Sequence, residues 1–475
     1  YDMNKSFFEQ FAELMKVVPR LALFQRNSIN SDYSNMVVES KNVYLSVSVT
    51  QKSENVFYSK SIDGSKDIVD CLNVKNGSDS LYENTEAQGN YNSQYLLLCR
   101  NTIDSYYCVD CVNCSNCVLS YNLRNKQYHI RNRQYTKEKY LEELEKLNLK
   151  SRVAREKLFT EFQEIKKKAI YRFGNITKCL DITGNNLLNV KNGKDCFEIY
   201  EAENCKFCFR ILYMKDAMDS DYGGWSELEY EYITGAINNY NVKFSCNAWS
   251  IRNTDYADFC NDCNSIFGCI GLKKKEYAIL NKVYSKEEFT KLRKEIINQM
   301  ENMPYVDKVG SIYKYGEFFP IELSSFPYNE TLAQEFFPLT REEAERNGYS
   351  WREPAVKNFN ITIPAEKIPD SIDEVNEEIL KEILGCGHKG KCDHQCNTAF
   401  RLTDYELKFY KKHNIPLPIL CPNCRYYERA KVLTPLKLWH RKCMKDECLN
   451  EFETAYSPDR PEIIYCEKCY QQEVY

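Results

Sequence analysis

Short apolar runs separated by polar turns dominate the chain from about residue 30 onward. Ser40–Asn42 precedes Val43, and Ser53–Asn55 precedes Val56. The turn recurs about every 11–14 residues, and the runs are rich in Val, Tyr, Leu and Cys. Because runs of this length cannot bury themselves, neighbouring coils must stack. The pattern therefore predicts a β-solenoid.

Helical spacing of apolar residues marks the ends of the repeat regions. Ser6 with Glu9 forms a capping box that opens an N-terminal helix. Thr136 is the predicted N-cap of a helix after the first repeat region, and Ser285 with Glu288 opens another after the second. Such helices are expected because an uncapped solenoid end exposes unpaired strand edges.

Two internal matches indicate a duplication. Leu72–Asp79 recurs as Leu188–Asp195, and the exit segment Leu123–Tyr140 aligns with Leu272–Phe289. The sequence therefore predicts a mainly β fold with duplicated β-solenoid-like repeats and helical caps.

Composition narrows the class of protein. The chain has 475 residues and a net charge of -4, and no run of about 18 uncharged apolar residues predicts a membrane span. The 23 cysteines are an odd number, and many stand in C-x2-C pairs, which suit metal chelation better than disulfides. Residues 1–10 do not resemble a secretory signal. We expect a cytoplasmic or otherwise intracellular reducing compartment, or packaging in a particle, and a segment upstream of Tyr1.

The first candidate metal site comprises Cys392 and Cys396 with Cys421 and Cys424. The Cys421–Cys424 knuckle presents two thiolates to one ion, and four thiolates in a tetrahedron match the preference of Zn²⁺. Cys386 is an alternative to Cys392, and the sequence leaves that choice open.

The second candidate site comprises Cys443 and Cys448 with Cys466 and Cys469. The residues between the two halves are β-prone, as a ribbon hairpin requires. Both sites offer four thiols and leave no open position for water, so the sequence predicts two structural zinc ions.

These features divide the chain into five predicted regions. Residues 1–150 contain the N-terminal helix, a repeat solenoid and a helical cap, and residues 151–300 contain a helical connector, a second repeat solenoid and a helical cap. Residues 301–385 form a Pro- and aromatic-rich strap, and residues 386–435 and 436–475 form two small zinc ribbons.

A family resemblance follows from the order of motifs in the first ribbon. The cysteine pair is followed by Phe400, a Glu-x-x-Phe-Tyr helix at Glu406–Tyr410, Pro418 and Cys421–Arg425. Residues 392–429 thus resemble the "probable zinc-ribbon" family, with a C-x3-C first pair where that family has C-x2-C. The whole chain is similar to uncharacterised zinc-ribbon proteins of small-genome uncultured bacteria and large DNA viruses. The resemblance implies zinc ribbons, including one upstream, and brings no known activity.

The cysteines of the repeats allow two interpretations. They form either further metal or redox sites, or a ladder of inward thiols. Repeat proteins stack identical side chains, and Cys is small and often buried, so the ladder is favoured. The closest set is Cys108, Cys111, Cys114 and Cys117.

Charge is concentrated near the first ribbon. Between Cys386 and Lys445 there are 13 Lys and Arg against 4 Asp and Glu. Bases interleaved with aromatics suit phosphate contact and base stacking, although a solvated face or a protein-docking surface would look similar. The candidate nucleic-acid contacts are Arg425, Tyr426, Arg429, Lys431, Trp439, Arg441 and Lys442.

No catalytic motif is visible in the sequence. The leading hypothesis is a non-enzymatic zinc-binding scaffold or assembly protein that docks protein partners on its solenoids, within a large particle. The alternatives are a zinc-ribbon nucleic-acid-binding protein and a carbohydrate-active solenoid. The last would use carboxylates of the repeats, where Asp104, Asp110, Asp255 and Asp262 lie.

Overall fold

The computed structural model describes residues 1–235, 237–353, 355 and 357–475. Strands are the commonest regular elements in these residues, and most belong to two curled, largely parallel sheets. The prediction of a mainly β chain is confirmed at this level. Within the described residues, every helix is too short or too polar to cross a membrane.

The first sheet is built from residues 25–134. Its strands are β1 (Gln25–Arg26), β2 (Asn35–Val38), β3 (Lys41–Tyr44), β4 (Val47–Thr50), β5 (Glu54–Phe57), β6 (Lys60–Asp63), β7 (Lys66–Val69), β8 (Leu72–Lys75), β9 (Asp79–Tyr82), β10 (Thr85–Gln88), β11 (Tyr91–Leu97), β12 (Tyr106–Val109), β13 (Ser115–Val118), β14 (Gln127–Ile130) and β15 (Arg133–Gln134). Strands β2, β4, β6, β8 and β10 form one parallel row, and β3, β5, β7 and β9 form another. Both rows join at β11, so the sheet curls back on itself. The terminal pair, β14 with β15, is antiparallel.

Apolar residues stack inside this curl. Val43 pairs with Val56, and Val56 pairs with Ile68, so one buried position recurs after 12 or 13 residues. Every third residue turns the chain through a left-handed conformation, for example Asn42 at φ 53° and Asn55 at φ 55°. Asn tolerates positive φ better than most residues, which explains why the polar turns of the sequence recur at these corners.

Serines alternate with the apolar residues inside the first sheet. The backbone N–H of Ser46 donates to Ser34 Oγ (3.1 Å), and that of Ser59 donates to Ser46 Oγ (3.1 Å). In the same row, Cys71 N–H donates to Ser59 Oγ (3.0 Å). An unpaired buried amide is costly, so these hydroxyls supply acceptors where the chain turns between strands. Cys71 continues the row, so a thiol also fits the serine position.

Two helices follow the first sheet, α2 (Lys137–Lys146) and α3 (Arg152–Lys168). Thr136 caps α2 as predicted, because its side chain accepts a hydrogen bond from the backbone of Lys139. Helix α3 packs on the first sheet, where the ring centroids of Phe162 and Tyr107 lie 5.8 Å apart. The short strand β16 (Ile170–Arg172) comes next.

The second sheet repeats this plan. Its strands are β17 (Ile176–Thr177), β18 (Leu180–Lys206), β19 (Leu212–Asp221), β20 (Gly224–Ile233), β21 (Tyr240–Cys246), β22 (Arg252–Asp255), β23 (Asn264–Phe267), β24 (Glu276–Ile279) and β25 (Lys282–Val283). Parallel pairing again ends in an antiparallel pair, β24 with β25. The following helix, α4 (Lys286–Asn302), begins at the predicted capping box of Ser285 and Glu288.

The N-terminal helix α1 (Phe7–Val17) belongs spatially with the second sheet. It begins at the predicted capping box of Ser6 and Glu9. Its aromatic face contacts that sheet, where the ring centroids of Phe7 and Phe267 are 5.1 Å apart. The sequence grouped this helix with the first repeat region because the two adjoin along the chain, whereas the apolar surface that covers it lies far away in sequence.

Residues 301–385 contain short elements that pack on neighbours. They are β26 (Tyr305–Val306), β27 (Ile312–Tyr313), α5 (Ala333–Phe336), α6 (Arg341–Arg346) and 3-10 turns at Ile321–Leu323, Tyr328–Glu330, Ala365–Lys367, Ile372–Glu374 and Glu377–Lys381. Phe319 packs on Phe11 of α1, with ring centroids 5.0 Å apart. Phe336 packs on Phe209 beside β19, with ring centroids 5.1 Å apart.

The C-terminal residues form two hairpin-and-helix units. Their elements are β28 (Leu384–Gly385), β29 (Ala399–Phe400), α7 (Asp404–Lys412), α8 (Pro422–Ala430), β30 (Trp439–Lys442), β31 (Glu451–Thr454), β32 (Ile463–Tyr465) and α9 (Glu467–Val474). Strand β28 pairs with β29, and β30 pairs with β31. Strand β32 instead pairs in parallel with β16, which ties the second unit to the segment that joins the two sheets.

Candidate metal centres

The first metal centre is a group of four thiols contributed by a hairpin and a helix. One ligand atom each from Cys386, Cys396, Cys421 and Cys424 lies within 4.8 Å of every other. Cys386 follows β28 and Cys396 precedes β29, so the pairing of these strands brings the two together. Cys421 is the N-cap of α8, and Cys424 lies in its first turn.

The sulfur positions fit a tetrahedral thiolate site. Four sulfurs at about 2.3 Å from one Zn²⁺ lie about 3.8 Å apart along the edges of the tetrahedron. Here Cys386 Sγ lies 3.8 Å from Cys424 Sγ, and Cys396 Sγ lies 4.0 Å from Cys421 Sγ. Both distances exceed a disulfide bond by well over an ångström, and all four cysteines are free. The donor set can therefore hold a metal ion.

Hydrogen bonds favour the thiolate form that binds metal. Cys421 N–H donates to Cys386 Sγ (3.3 Å), and Asn397 N–H approaches Cys421 Sγ (3.5 Å). The hydrogen bond from the Cys386 thiol lowers the pKa of Cys421 to about 4, although burial opposes the shift. Burial and the neighbouring thiolate raise the pKa of Cys424. The lowered pKa of Cys421 favours its thiolate, the form that binds metal.

The second metal centre repeats this construction at the end of the chain. The group consists of Cys443, Cys448, Cys466 and Cys469, whose sulfur atoms also lie within 4.8 Å of one another. Cys443 follows β30, whose hairpin with β31 closes through Cys443 N–H and Asn450 O (2.9 Å). Cys466 is the N-cap of α9, and Cys469 lies in its first turn. The Sγ atoms of Cys448 and Cys466 are 3.9 Å apart, which again fits a tetrahedral edge.

A side-chain amide supports the thiolate of the second centre. Asn450 Nδ2 donates to Cys466 Sγ (3.3 Å), and Cys466 N–H donates to Cys443 Sγ (3.3 Å). Burial raises the pKa of Cys466, but hydrogen bonds from Asn450 and from Cys469 lower it to a net value of about 6.

The structure places Cys386 in the first four-thiol group and Cys392 in an overlapping one. That second set consists of His388, Cys392, His394 and Cys424, whose ligand atoms also lie within 4.8 Å of one another. The sequence left the choice between Cys386 and Cys392 open. The β28–β29 pairing brings Cys386, just after β28, to the end of the hairpin near Cys396, so Cys386 joins the four-thiol group. Cysteine spacing alone carries no such information.

The cysteines of the repeats lie inside the two sheets. Cys108, Cys111, Cys114 and Cys117 are buried and free. Cys111 N–H donates to Cys99 Sγ (3.4 Å), the same contact that serine makes elsewhere in the first sheet. Among the described residues, the three candidate metal-binding groups contain none of these thiols. The arrangement is that of inward, stacked thiols.

Two arginines predicted to contact nucleic acid are buried in an ion network on the first sheet. Arg425 and Arg429 are 4% and 6% exposed. Arg425 Nε and Arg429 Nη1 each lie 3.1 Å from the Asp70 carboxylate, and Arg429 Nη1 lies 2.9 Å from Glu83 Oε1. Their guanidinium groups are turned into the protein, so this conformation does not offer them to phosphate.

A carboxylate of α7 completes the same network. Glu406 Oε1 lies 3.7 Å from Arg425 Nη2, and Tyr58 OH donates to Glu406 Oε2 (2.8 Å). Glu406 also caps its own helix, because Thr403 N–H donates to its carboxylate (2.7 Å). Burial raises the pKa of Glu83 to about 7 and also raises that of Glu406, against the opposing effect of the arginines. The network fixes the first metal centre against the first sheet.

The other candidate nucleic-acid contacts are largely engaged within the chain. Tyr426 OH donates to Glu335 Oε2 (2.6 Å), Lys431 pairs with Glu428, and Lys442 pairs with Glu451. Arg441 Nη1 donates to Ser457 O (3.3 Å). Trp439 lies on β30 with Lys437 Nζ 5.3 Å from its ring centroid.

The carboxylates considered for carbohydrate chemistry have structural roles. Asp104, Asp110 and Asp262 occupy left-handed corners of the sheets. Asp255 forms an ion pair with Arg293 of α4. Corner geometry and ion pairing explain the positions of these four residues.

Comparison with known proteins adds little to this description. No protein-family model matches the chain, and no curated protein matches it. Among solved structures that match is a "putative acetyltransferase" from Desulfovibrio desulfuricans G20, at 9% identity over 63% of this chain and 95% of that chain, with a TM-score of 0.11. At this TM-score the likeness carries no argument about fold or activity.

Proposed function

We propose that this protein is a non-enzymatic, zinc-binding scaffold or assembly protein. In this proposal the two curled sheets are β-solenoids that dock protein partners, within a larger particle. The two C-terminal hairpin-and-helix units are zinc ribbons that stabilise the solenoids. The observation that carries the proposal is that each four-thiol group is closed and anchored to the parallel strands.

The anchoring supports a structural role for the metal. The first unit is held on the first sheet through the Arg425–Asp70 contact. The second is tied to the segment between the two sheets through the β16–β32 pairing. Tyr470 of α9 also contacts the corner residue Asp110. A metal with four protein thiolates has no free coordination position, which is typical of structural zinc. Soft thiolates also favour zinc over harder divalent cations.

The repeat geometry supports the solenoid interpretation. A register of 12 or 13 residues, a buried apolar row and left-handed corners at every third residue are what a stacked coil requires. The order of cysteines, hairpin and helix in residues 392–429 is also consistent with the resemblance to the "probable zinc-ribbon" family. The free state of the cysteines favours a reducing compartment.

An exposed aromatic face on the second sheet supports protein docking. Tyr213 of β19 and Trp225 of β20 stack with ring centroids 5.0 Å apart, and they are 44% and 50% exposed. Phe207 and Leu228, elsewhere in the same repeat region, are also exposed. Exposed clusters of aromatic residues commonly anchor protein–protein interfaces.

The test combines metal analysis with assembly measurements on the full chain. Elemental analysis should give at least two zinc ions per chain, and Cys421→Ser and Cys466→Ser should each lose zinc. Trp225→Asp should abolish cross-links between the second sheet and its partner, whereas Phe326→Asp, at a more exposed aromatic, should not. A monomeric chain that cross-links to nothing and turns over a substrate would contradict the proposal.

A second candidate is nucleic-acid binding through residues 386–445. It is supported by the Lys437–Trp439 pair, which combines a cation with a half-buried aromatic ring. The test is fluorescence anisotropy with single-stranded DNA and RNA at several salt concentrations. Binding should weaken with salt and fall in Trp439→Ala with Lys437→Ala. Affinity that is independent of salt would exclude this candidate.

A further inference from the structure

We infer that His388, Cys392, His394 and Cys424 hold a further zinc ion next to the first metal centre, and that Cys424 bridges the two ions. The inference rests on the proposed function, because it takes the first four-thiol group to be a zinc site. The inference raises the zinc content of the chain from two ions to three, and it makes the first metal centre a two-metal cluster.

The local chain geometry gathers this second donor set. Cys392 Sγ lies 3.7 Å from Cys424 Sγ, close to the edge of a thiolate tetrahedron. Lys389 (φ 50°) and Gly390 (φ 77°) turn the chain between His388 and Cys392. The turn is closed by Lys391 N–H, which donates to His388 O (2.8 Å). Two imidazoles and two thiolates form a common ligand set for tetrahedral zinc.

The histidines have buried nitrogens that lack a hydrogen-bond partner. In the part of the chain that the structure describes, Nδ1 of both His388 and His394 is buried and unpaired. The nearest carboxylate oxygen, Glu428 Oε1, lies 3.7 Å from His394 Nδ1, beyond hydrogen-bond distance. The His394 ring stacks on Tyr427, with centroids 5.5 Å apart and planes 9° apart, which holds its orientation. Buried polar atoms normally have a hydrogen-bond partner. A bound ion that orders these rings would explain why the two Nδ1 atoms have none.

Charge balance also favours a second ion. One Zn²⁺ with four thiolates leaves a net charge of about −2, and an ionised Cys392 would add to it. A second Zn²⁺ with Cys392 and two neutral imidazoles brings the cluster to about −1. Cys424 belongs to both donor sets, and a thiolate sulfur has enough lone pairs to bind two cations.

The stoichiometry of zinc tests this inference on the full chain, by native mass spectrometry and elemental analysis. The wild type should contain three zinc ions, and His388→Ala with His394→Ala should contain two. His440→Ala changes an exposed histidine paired with carboxylates and should keep three. Cys392→Ser should lose one ion and Cys424→Ser two, with circular dichroism used to check that each variant is folded.

Cobalt substitution gives an independent readout. Wild-type absorption should combine sulfur-only and mixed sulfur–nitrogen coordination, and the double histidine variant should keep the sulfur-only bands alone. A wild-type content of two ions would overturn the inference and leave the proposed function standing, and fewer than two would overturn both. Loss of one ion in folded Cys424→Ser would refute the bridge.

Discussion

The buried ion network makes a sharp prediction for Arg425→Leu. Arg425 lies 3.1 Å from the carboxylate of Asp70, a residue with no exposed surface, and 3.7 Å from Glu406. Its guanidinium also lies 4.9 Å from the ring of Tyr58. Leucine keeps much of the apolar contact and removes the charge. Asp70 and Glu83 would then have Arg429 alone, and Glu406 would lose its arginine partner. Removing one partner of a buried pair costs about 3–5 kcal/mol.

The assay is urea unfolding of the zinc-loaded chain. Circular dichroism reports the loss of strands, and a chromogenic chelator reports zinc release. We expect Arg425→Leu to unfold at a lower urea concentration and to release zinc from the first centre earlier. The folded variant should keep its full zinc content, which separates loss of docking from loss of ligands.

Two companion variants sharpen this test. Lys442→Leu removes an exposed ion pair with Glu451 and should leave stability nearly unchanged, because pairs of exposed charges contribute little. Asp70→Asn combined with Arg425→Leu should cost less than the sum of the single variants, because both remove the same pair. If Arg425→Leu is as stable as Lys442→Leu, the network does not hold the unit on the sheet and the reasoning fails.

Three further predictions concern the sheets. Burial raises the pKa of Glu229 from 4.5 to about 8, so between these pH values the folded state keeps a proton that the unfolded state releases, and stability falls as pH rises. Glu229→Gln should remove this slope of about 1.4 kcal/mol per pH unit, measured from urea midpoints at pH 5 and pH 8, and an unchanged slope would contradict the prediction. Ile62 is fully buried, so Ile62→Ala should destabilise the first sheet by about 2–5 kcal/mol in the same assay. Leu449→Ala, at a 92% exposed site, should be neutral, and equal effects of the two variants would refute the packing argument. Ser59→Ala should cost about 1–3 kcal/mol because the amide of Cys71 loses its acceptor, while Ser59→Cys should be tolerated; a neutral Ser59→Ala would show that the hydroxyl row does not matter.

Features that depend on neighbours in the sequence could be predicted. The capping boxes at Ser6 and Ser285 were predicted because both partners lie within three residues. The spacing of polar turns indicated a mainly β repeat because the same left-handed corner recurs along the chain. The knuckles at Cys421 and Cys466 were visible because two thiols three residues apart reach one metal at the start of a helix.

Features that depend on distant residues could not be predicted. Arg425 resembles a surface base in a cationic segment, yet its partner Asp70 is 355 residues away and fully buried. Spacing favoured Cys392 and left Cys386 as an alternative, and only the β28–β29 pairing brings Cys386 to the end of the hairpin near Cys396. His394 carried no recognisable motif, and its proximity to Cys424 appears only when α8 packs beside the loop.

The sequence by itself therefore determined that the chain is a strand-rich repeat ending in two cysteine-rich units, because periodicity, caps and chelating pairs are local interactions. The tertiary structure decided which thiols stand together, which bases are buried, and which sheet the helix at Phe7 covers. Those outcomes depend on contacts between segments hundreds of residues apart. Burial at these contacts changes the free energy of a charged side chain and the accessibility of a metal ligand, and a local sequence pattern contains no information about either.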